Sequence, residues 1–191
     1  ACGCGGSAAL GEAELQAMTT RNLDALFHPN AIALIGASNR PGSVGQVLSR
    51  NLLESGFSGP VLPVSLTAGA VRSAIAYRSM AELPLVPDLA VIATPAPTVP
   101  GLVREAAQAG GRAAIVISAG LDTAQRQEML DAAKPSLLRI LGPNCLGFIS
   151  PQRGINASFA HFTPPAGGLA LVSQSGAVAA AAIDWAHARG V

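Results

Sequence analysis

The run Ala31-Ile32-Ala33-Leu34-Ile35-Gly36, then Ala37-Ser38-Asn39-Arg40-Pro41-Gly42-Ser43, then Val44, Val47, Leu48, Leu52 and Leu53, decides the fold. An unbroken apolar run ending at glycine is the pattern of a strand buried on both faces. The apolar spacing after Ser43 is that of one face of a helix, which Gly56 stops. A buried strand, a glycine-bearing turn and a helix, in that order, predict the opening βα unit of a parallel sheet.

The same alternation continues outward from that unit. Val61–Val64 reads as a second strand, with Pro63 tolerated only at an end or an edge. Ser65 to Tyr77 has no clear period beyond a short strand at Ala74–Tyr77, and Ser79 is placed to cap a short helix ending at Leu83. Strands are expected at Asp88–Ala93, Ala113–Ile117 and Leu138–Leu141. Helices are expected at Thr98–Ala109, with Pro100 harmless in its first turn, and at Asp122–Ala133. Phe148 to Gly168 lapses into loop, then Leu169–Ser173 restarts as a strand and Gly176–Arg189 as an Ala-rich helix. The expected fold is α/β: a Rossmann-like parallel sheet with helices on both faces, plus the first βα unit of a second domain. The division reads 1–22 extension, 23–150 first domain, 151–168 linker and 169–191 the start of the second domain. A lone βα unit cannot bury its own sheet, so a longer protein is expected.

Composition narrows the function. Of 191 residues, 50% are hydrophobic and 12% charged, with mean hydropathy +0.42, which excludes intrinsic disorder. A net charge of +1 gives no bulk electrostatic case for nucleic acid or an anionic membrane. No apolar run approaches the roughly 20 residues of a membrane span. Aromatics are 4%, so the core must be aliphatic. Cys2, Cys4 and Cys145 are too few for a disulfide framework, and a reducing, cytoplasmic setting is expected. The opening residues lack a signal-peptide pattern, and 1–17 read as an extension ahead of Met18.

Four constellations carry chemistry. Between Gly36 and Gly45 the chain passes from strand to helix, where Gly42 and Gly45 let backbone approach a ligand and the helix N-terminus attracts an anion. Arg40 adds a cation there. Ser38 holds the second position of a Gly-x-Gly-x-x-Gly pattern, and Ser65-Leu66-Thr67 follow the second strand where an NAD site needs an acid. A classical NAD site is thus disfavoured, and a plain tight turn is the bland alternative. Thr94-Pro95-Ala96-Pro97 and Ser118-Ala119-Gly120 sit at carboxyl ends of later strands, which face the ligand crevice of an open sheet. They suit a flat adenine or a pantetheine arm, or are loop formers only. In Gly142-Pro143-Asn144-Cys145, Asn144 reads as a turn former or ligand contact and Cys145 as structural. Ser173-Gln174-Ser175-Gly176 opens a helix, with Ser175 as cap and the N–H groups of Ser175, Gly176 and Ala177 as an anion seat. His28, His161 and His187 do not cluster, so no metal is assigned, and no catalytic residue is identified.

Together these residues are recognisable. Leu26 to Ser38 with Pro41 to Gly45, Pro87 to Ala96, Ile117 to Gly120, Leu141 to Gly147 and Leu171 to Gly176 match in order and spacing. They closely resemble NDP-forming acyl-CoA synthetases, which include the ADP-forming acetate–CoA ligases and relatives of the succinyl-CoA synthetase alpha subunit. The resemblance covers about Leu23 to Val191. It implies a CoA-binding first domain followed by a flavodoxin-like one. Ser38, Arg40 and Gly42 to Gly45, with Val44, would meet the CoA phosphates. Gly36 would admit the turn, and Thr94 to Pro97 with Ser118 to Gly120 would line the adenine or pantetheine side. Asn144 and Cys145 would lie toward the thioester end, and Ser173 to Gly176 would seat phosphate.

Two departures stand out. The family's Asn-Pro-Lys after the second strand is replaced by Ser65-Leu66-Thr67, a lost basic contact for which Arg72 is the available substitute. The family's phosphorylated histidine has no match within these residues, so this chain by itself is expected to be inactive. The implied ligands of the whole protein are CoA and a small carboxylic acid, with ADP or ATP and Mg bound by the remaining ligase domains. The oligomeric state stays open. The competing class is regulatory, since the architecture also resembles the front of bacterial protein lysine acetyltransferases. A stand-alone CoA-binding module is the third reading, disfavoured by the restarted unit after Gly168.

Overall fold

The computed structural model of the chain describes residues 20–190. The extension read at 1–17, with Cys2, Cys4 and Met18, lies outside the described residues. A short helix, α1 (Leu23–Phe27), leads into β1 (Ile32–Ile35), all four residues of which are buried. Then follow α2 (Val44–Glu54), β2 (Val61–Val64), a tiny hairpin of β3 (Ala70–Val71) and β4 (Ala74–Ile75), β5 (Leu89–Ile92), α3 (Val99–Gln108), β6 (Ala113–Val116), α4 (Thr123–Ala133) and β7 (Arg139–Leu141). The chain closes with β8 (Gly147–Ser150), β9 (Ile155–Ser158) and α5 (Gly176–His187).

Five strands form one parallel sheet in the order β2-β1-β5-β6-β7. Side chains alternate across it. Ile32 and Leu34 of β1 join Leu48 and Leu52 of α2 and Leu26 of α1 on one face, whereas Ala33 and Ile35 face Val99, Val103 and Ala106 of α3 and Met129 of α4. The α/β fold with helices on both faces is as the alternation predicts. Asp122 caps α4 in a capping box, its carboxylate accepting the Gln125 N–H at 2.8 Å. Among the described residues no helix is long and apolar enough to cross a membrane, and no group of His, Cys, Asp or Glu could hold a metal.

Three segments differ from the sequence expectation. Ser79 sits at the start of a 3-10 turn, Met80–Glu82, without a side-chain cap, and the Glu105 carboxylate from α3 accepts the Met80 N–H at 3.0 Å. The stretch read as linker is in part a hairpin: β8 and β9 pair antiparallel, all of β9 is buried, and Ile155 and Ala157 pack into the core on the α1–α2 face. Leu169–Ser173 is not a strand among the described residues, with Leu169 85% and Val172 98% exposed. A parallel strand exists only through a neighbour, and none lies beside it here.

Candidate ligand cleft

Strand order reverses between β1 and β5, because the chain leaves β1 for one edge and returns on its other side. Open α/β sheets bind ligands outside the carboxyl ends of strands at such a switch point. Gly36 closes β1 there. A Cβ on it would stand 2.6 Å from the Ala93 carbonyl, and its φ of +93° is left-handed, so only glycine lets the two strand ends approach.

The turn after Gly36 is knitted from within. Ser38 Oγ accepts the Arg40 N–H at 3.0 Å, and Ser43 Oγ donates to the Arg40 carbonyl at 2.7 Å while accepting the Gln46 N–H at 3.2 Å. Ser43 is therefore the N-cap of α2. The N–H groups of Val44 and Gly45 make no hydrogen bond among the described residues, which leaves the helix end able to receive an anion. Gly45 is buried, and a Cβ there would stand 2.1 Å from the Gly36 carbonyl. Gly45 therefore also lets helix pack closely on strand, while its backbone N–H stays available. Gly42, with φ +75° and no atom within 4 Å of its Cβ position, keeps the open surface that approach requires. Arg40 is exposed and its side chain has no ion-pair partner among the described residues. Arg72 pairs with Glu54 at the surface beside the turn. Asn39 holds the β3–β4 hairpin beside the turn, donating to the Ala70 carbonyl at 2.8 Å and accepting the Arg72 N–H at 3.2 Å.

A cleft of about 650 Å³ opens over the strand ends. Val44, Thr94, Ser118, Ala119, Asn144 and Cys145 all line it, as do Gln174 and Gly176 from the start of α5. Ser118 Oγ donates to the Thr94 carbonyl at 2.6 Å, and the Asn144 N–H donates to the Ser118 carbonyl at 3.0 Å. Those bonds join three strand-end loops into one floor. Asn144 occupies left-handed space at φ +59°, the turn-forming role expected of it. Burial pushes the Cys145 thiol up, and its S–H points at the Val116 carbonyl at 3.4 Å. It is a packed thiol, not a prepared thiolate.

Other nominated residues lie outside the lining. Pro95 and Pro97 stiffen the 3-10 turn that starts α3. Gly120, at φ +82°, turns the chain after Ala119. At α5, Ser175 accepts the Val178 N–H at 3.3 Å and caps the helix, but its own N–H is taken by Ser173 Oγ at 3.1 Å. The expected seat thus reduces to the N–H groups of Gly176 and Ala177, which make no bond among the described residues. The sequence reading missed Leu146, Phe159 and Ala180 of the lining, and named Ala177 only for its N–H.

Residues 30–151 match the sequence model of a family described as "CoA binding domain". The chain belongs to that family. Its relatives include the alpha subunit of an ADP-forming acetate–CoA ligase I from Pyrococcus furiosus, 36% identical over 86% of this chain and 38% of the relative. They also include an ADP-forming 4-hydroxybutyrate–CoA ligase from Nitrosopumilus maritimus, 37% identical over 87% of the chain and 25% of the relative. Among solved structures, a dinucleotide-forming acetyl-coenzyme A synthetase 1 from Ca. Korarchaeum cryptofilum, in complex with phosphate and ADP, superposes with a TM-score of 0.82 at 34% identity. That likeness covers 86% of this chain and 36% of the other. The chain thus spans between a quarter and two fifths of the lengths of these relatives. The acetyltransferase alternative gains no support from these matches.

Proposed function

We propose that the cleft binds coenzyme A and that the chain is the CoA-binding part of an ADP-forming acyl–CoA ligase. The observation that carries this is the meeting, at the switch point of a CoA-binding-family sheet, of the α2 N-terminus, whose Val44 lines the cleft, with the loop floor of Thr94, Ser118 and Asn144. The phosphates would sit at the α2 N-terminus, with Ser38, Arg40 and Gly42 around them, and the thiol end would reach Asn144 and Cys145. Phosphate would be held at the α5 N-terminus by Gly176 and Ala177, with Ser173, Gln174 and Ser175 shaping the turn.

In the whole protein the reaction would convert acyl-CoA, ADP and phosphate to a carboxylic acid, CoA and ATP. ADP or ATP with Mg would bind on domains outside these residues, in a reducing cytoplasmic compartment. Residues 169–191 are read as the start of a flavodoxin-like second domain. Its sheet would give Leu169–Val172 the strand partner they lack here and cover Val178 and Trp185 of α5, which are 57% and 56% exposed.

Calorimetric titration of CoA and of NAD into the purified chain tests the binding. CoA is expected to bind saturably and NAD much more weakly, since Ser65 is buried and Leu66 and Thr67 offer no carboxylate for a ribose. Tighter binding of NAD than of CoA would reverse the assignment.

A further inference from the structure

The apolar end of the cleft has a built construction. Phe159 is 37% exposed, although Ser158 and Ala160 on either side are buried. Asn51 of α2, itself buried, donates its amide to both of those neighbours' carbonyls, at 2.8 Å to Ser158 and 3.0 Å to Ala160. The Phe159 N–H donates to the Leu146 carbonyl at 3.3 Å, and the Ala160 N–H to Ser158 Oγ at 3.2 Å. The backbone is thus fixed on both sides of the ring, so the ring cannot fold into the core and stands in the cleft. An aromatic side chain held rigidly in a concave site is a surface for an apolar ligand group. Ala177 and Ala180 of α5 also line the cleft; three residues apart, they share one helix face and present only methyl groups. Among the described residues none that lines the cleft carries a formal charge, and its unpaired N–H groups at Gly176 and Ala177 are those assigned to phosphate, so an acyl carboxylate directed at Phe159 and Ala180 would lose its hydration without a partner of its own.

We propose that Phe159, Leu146, Ala177 and Ala180 form the acyl subsite, with Phe159 as its wall and the small side chain at 180 setting the size of group admitted. The inference rests on the reading of the cleft as a CoA site with the thioester end at Asn144 and Cys145. The acyl group it takes is apolar and bears no second charge.

The test is calorimetric titration of CoA, butyryl-CoA and succinyl-CoA into the purified chain, A180L and F159A, each checked for folding by circular dichroism. The unsubstituted chain binds butyryl-CoA at least as tightly as CoA and succinyl-CoA more weakly. A180L lowers the ratio of butyryl-CoA to CoA affinity about tenfold, the discrimination that a methylene or two gives in an apolar pocket. F159A abolishes the preference for butyryl-CoA over succinyl-CoA. If CoA binds but neither ratio moves in either variant, the acyl subsite is wrong and the CoA reading survives. If the folded, unsubstituted chain binds no CoA, the reading of the cleft falls and the subsite with it.

Discussion

Gly42 and Gly45 sit three residues apart in one turn, and a sequence pattern treats them alike. The structure separates them, because a side chain at 42 meets open space whereas one at 45 meets the Gly36 carbonyl at 2.1 Å. Gly42→Val should fold with a loss of about 1–2 kcal/mol from the left-handed backbone, and should weaken CoA binding. Gly45→Val should instead fail to reach a stable fold, since backbone of β1 and α2 must part to admit it. Thermal unfolding of both variants with and without CoA decides this, and a Gly45→Val protein as stable as the parent would refute the packing role. Residue types were legible in the sequence; which glycine serves packing depends on an approach between strand and helix that no local pattern records.

At the scale of elements, Asp88 shows how the strand ends are tied. Its carboxylate accepts the Asn30 N–H at 2.7 Å ahead of β1 and pairs with Arg112 ahead of β6, so one side chain at the entry to β5 joins three neighbouring strands. Burial pushes this carboxyl up, but the Arg112 guanidinium and the Asn30 N–H outweigh it and hold it below the ordinary value of 3.8. A carboxylate depressed by folding contributes stability that is present above its unfolded value and lost as pH falls through the lower, folded one. Asp88→Asn should therefore cost about 1–2 kcal/mol near neutral pH, discounted for the exposed Arg112. The difference from the parent should shrink below about pH 4. Urea unfolding at pH 7 and at pH 3 measures it, and an equal deficit at both values would contradict the account.

The strands around Asp88 were legible for a physical reason. β1, β5 and β6 are buried on both faces and so read as unbroken apolar runs. The β8–β9 hairpin was not, because buried Asn156 and Ser158 look like loop residues until their mutual bond of 2.6 Å, and that from Asn156 to Thr163 at 2.7 Å, are seen. Leu169–Ser173 misleads in the opposite sense: its composition is that of a strand, but pairing depends on a partner.

For the whole molecule, the cleft follows from topology. The chain places β2 and β5 on opposite sides of β1, and loops from β1, β5, β6 and β7 converge where the order reverses. Thr94, Ser118 and Asn144 were legible as strand-end residues, and the structure links them through two hydrogen bonds. Phe159 and Ala180 were illegible because they enter from a hairpin and a helix remote in sequence from those loops. The central claim is that this floor and the free end of α2 hold CoA. A crystal structure of the chain with CoA bound tests it most directly. The account predicts the pyrophosphate within hydrogen-bonding distance of the Val44 and Gly45 N–H groups and the thiol end beside Asn144 and Cys145. CoA seated elsewhere, with those two N–H groups unengaged, would contradict it.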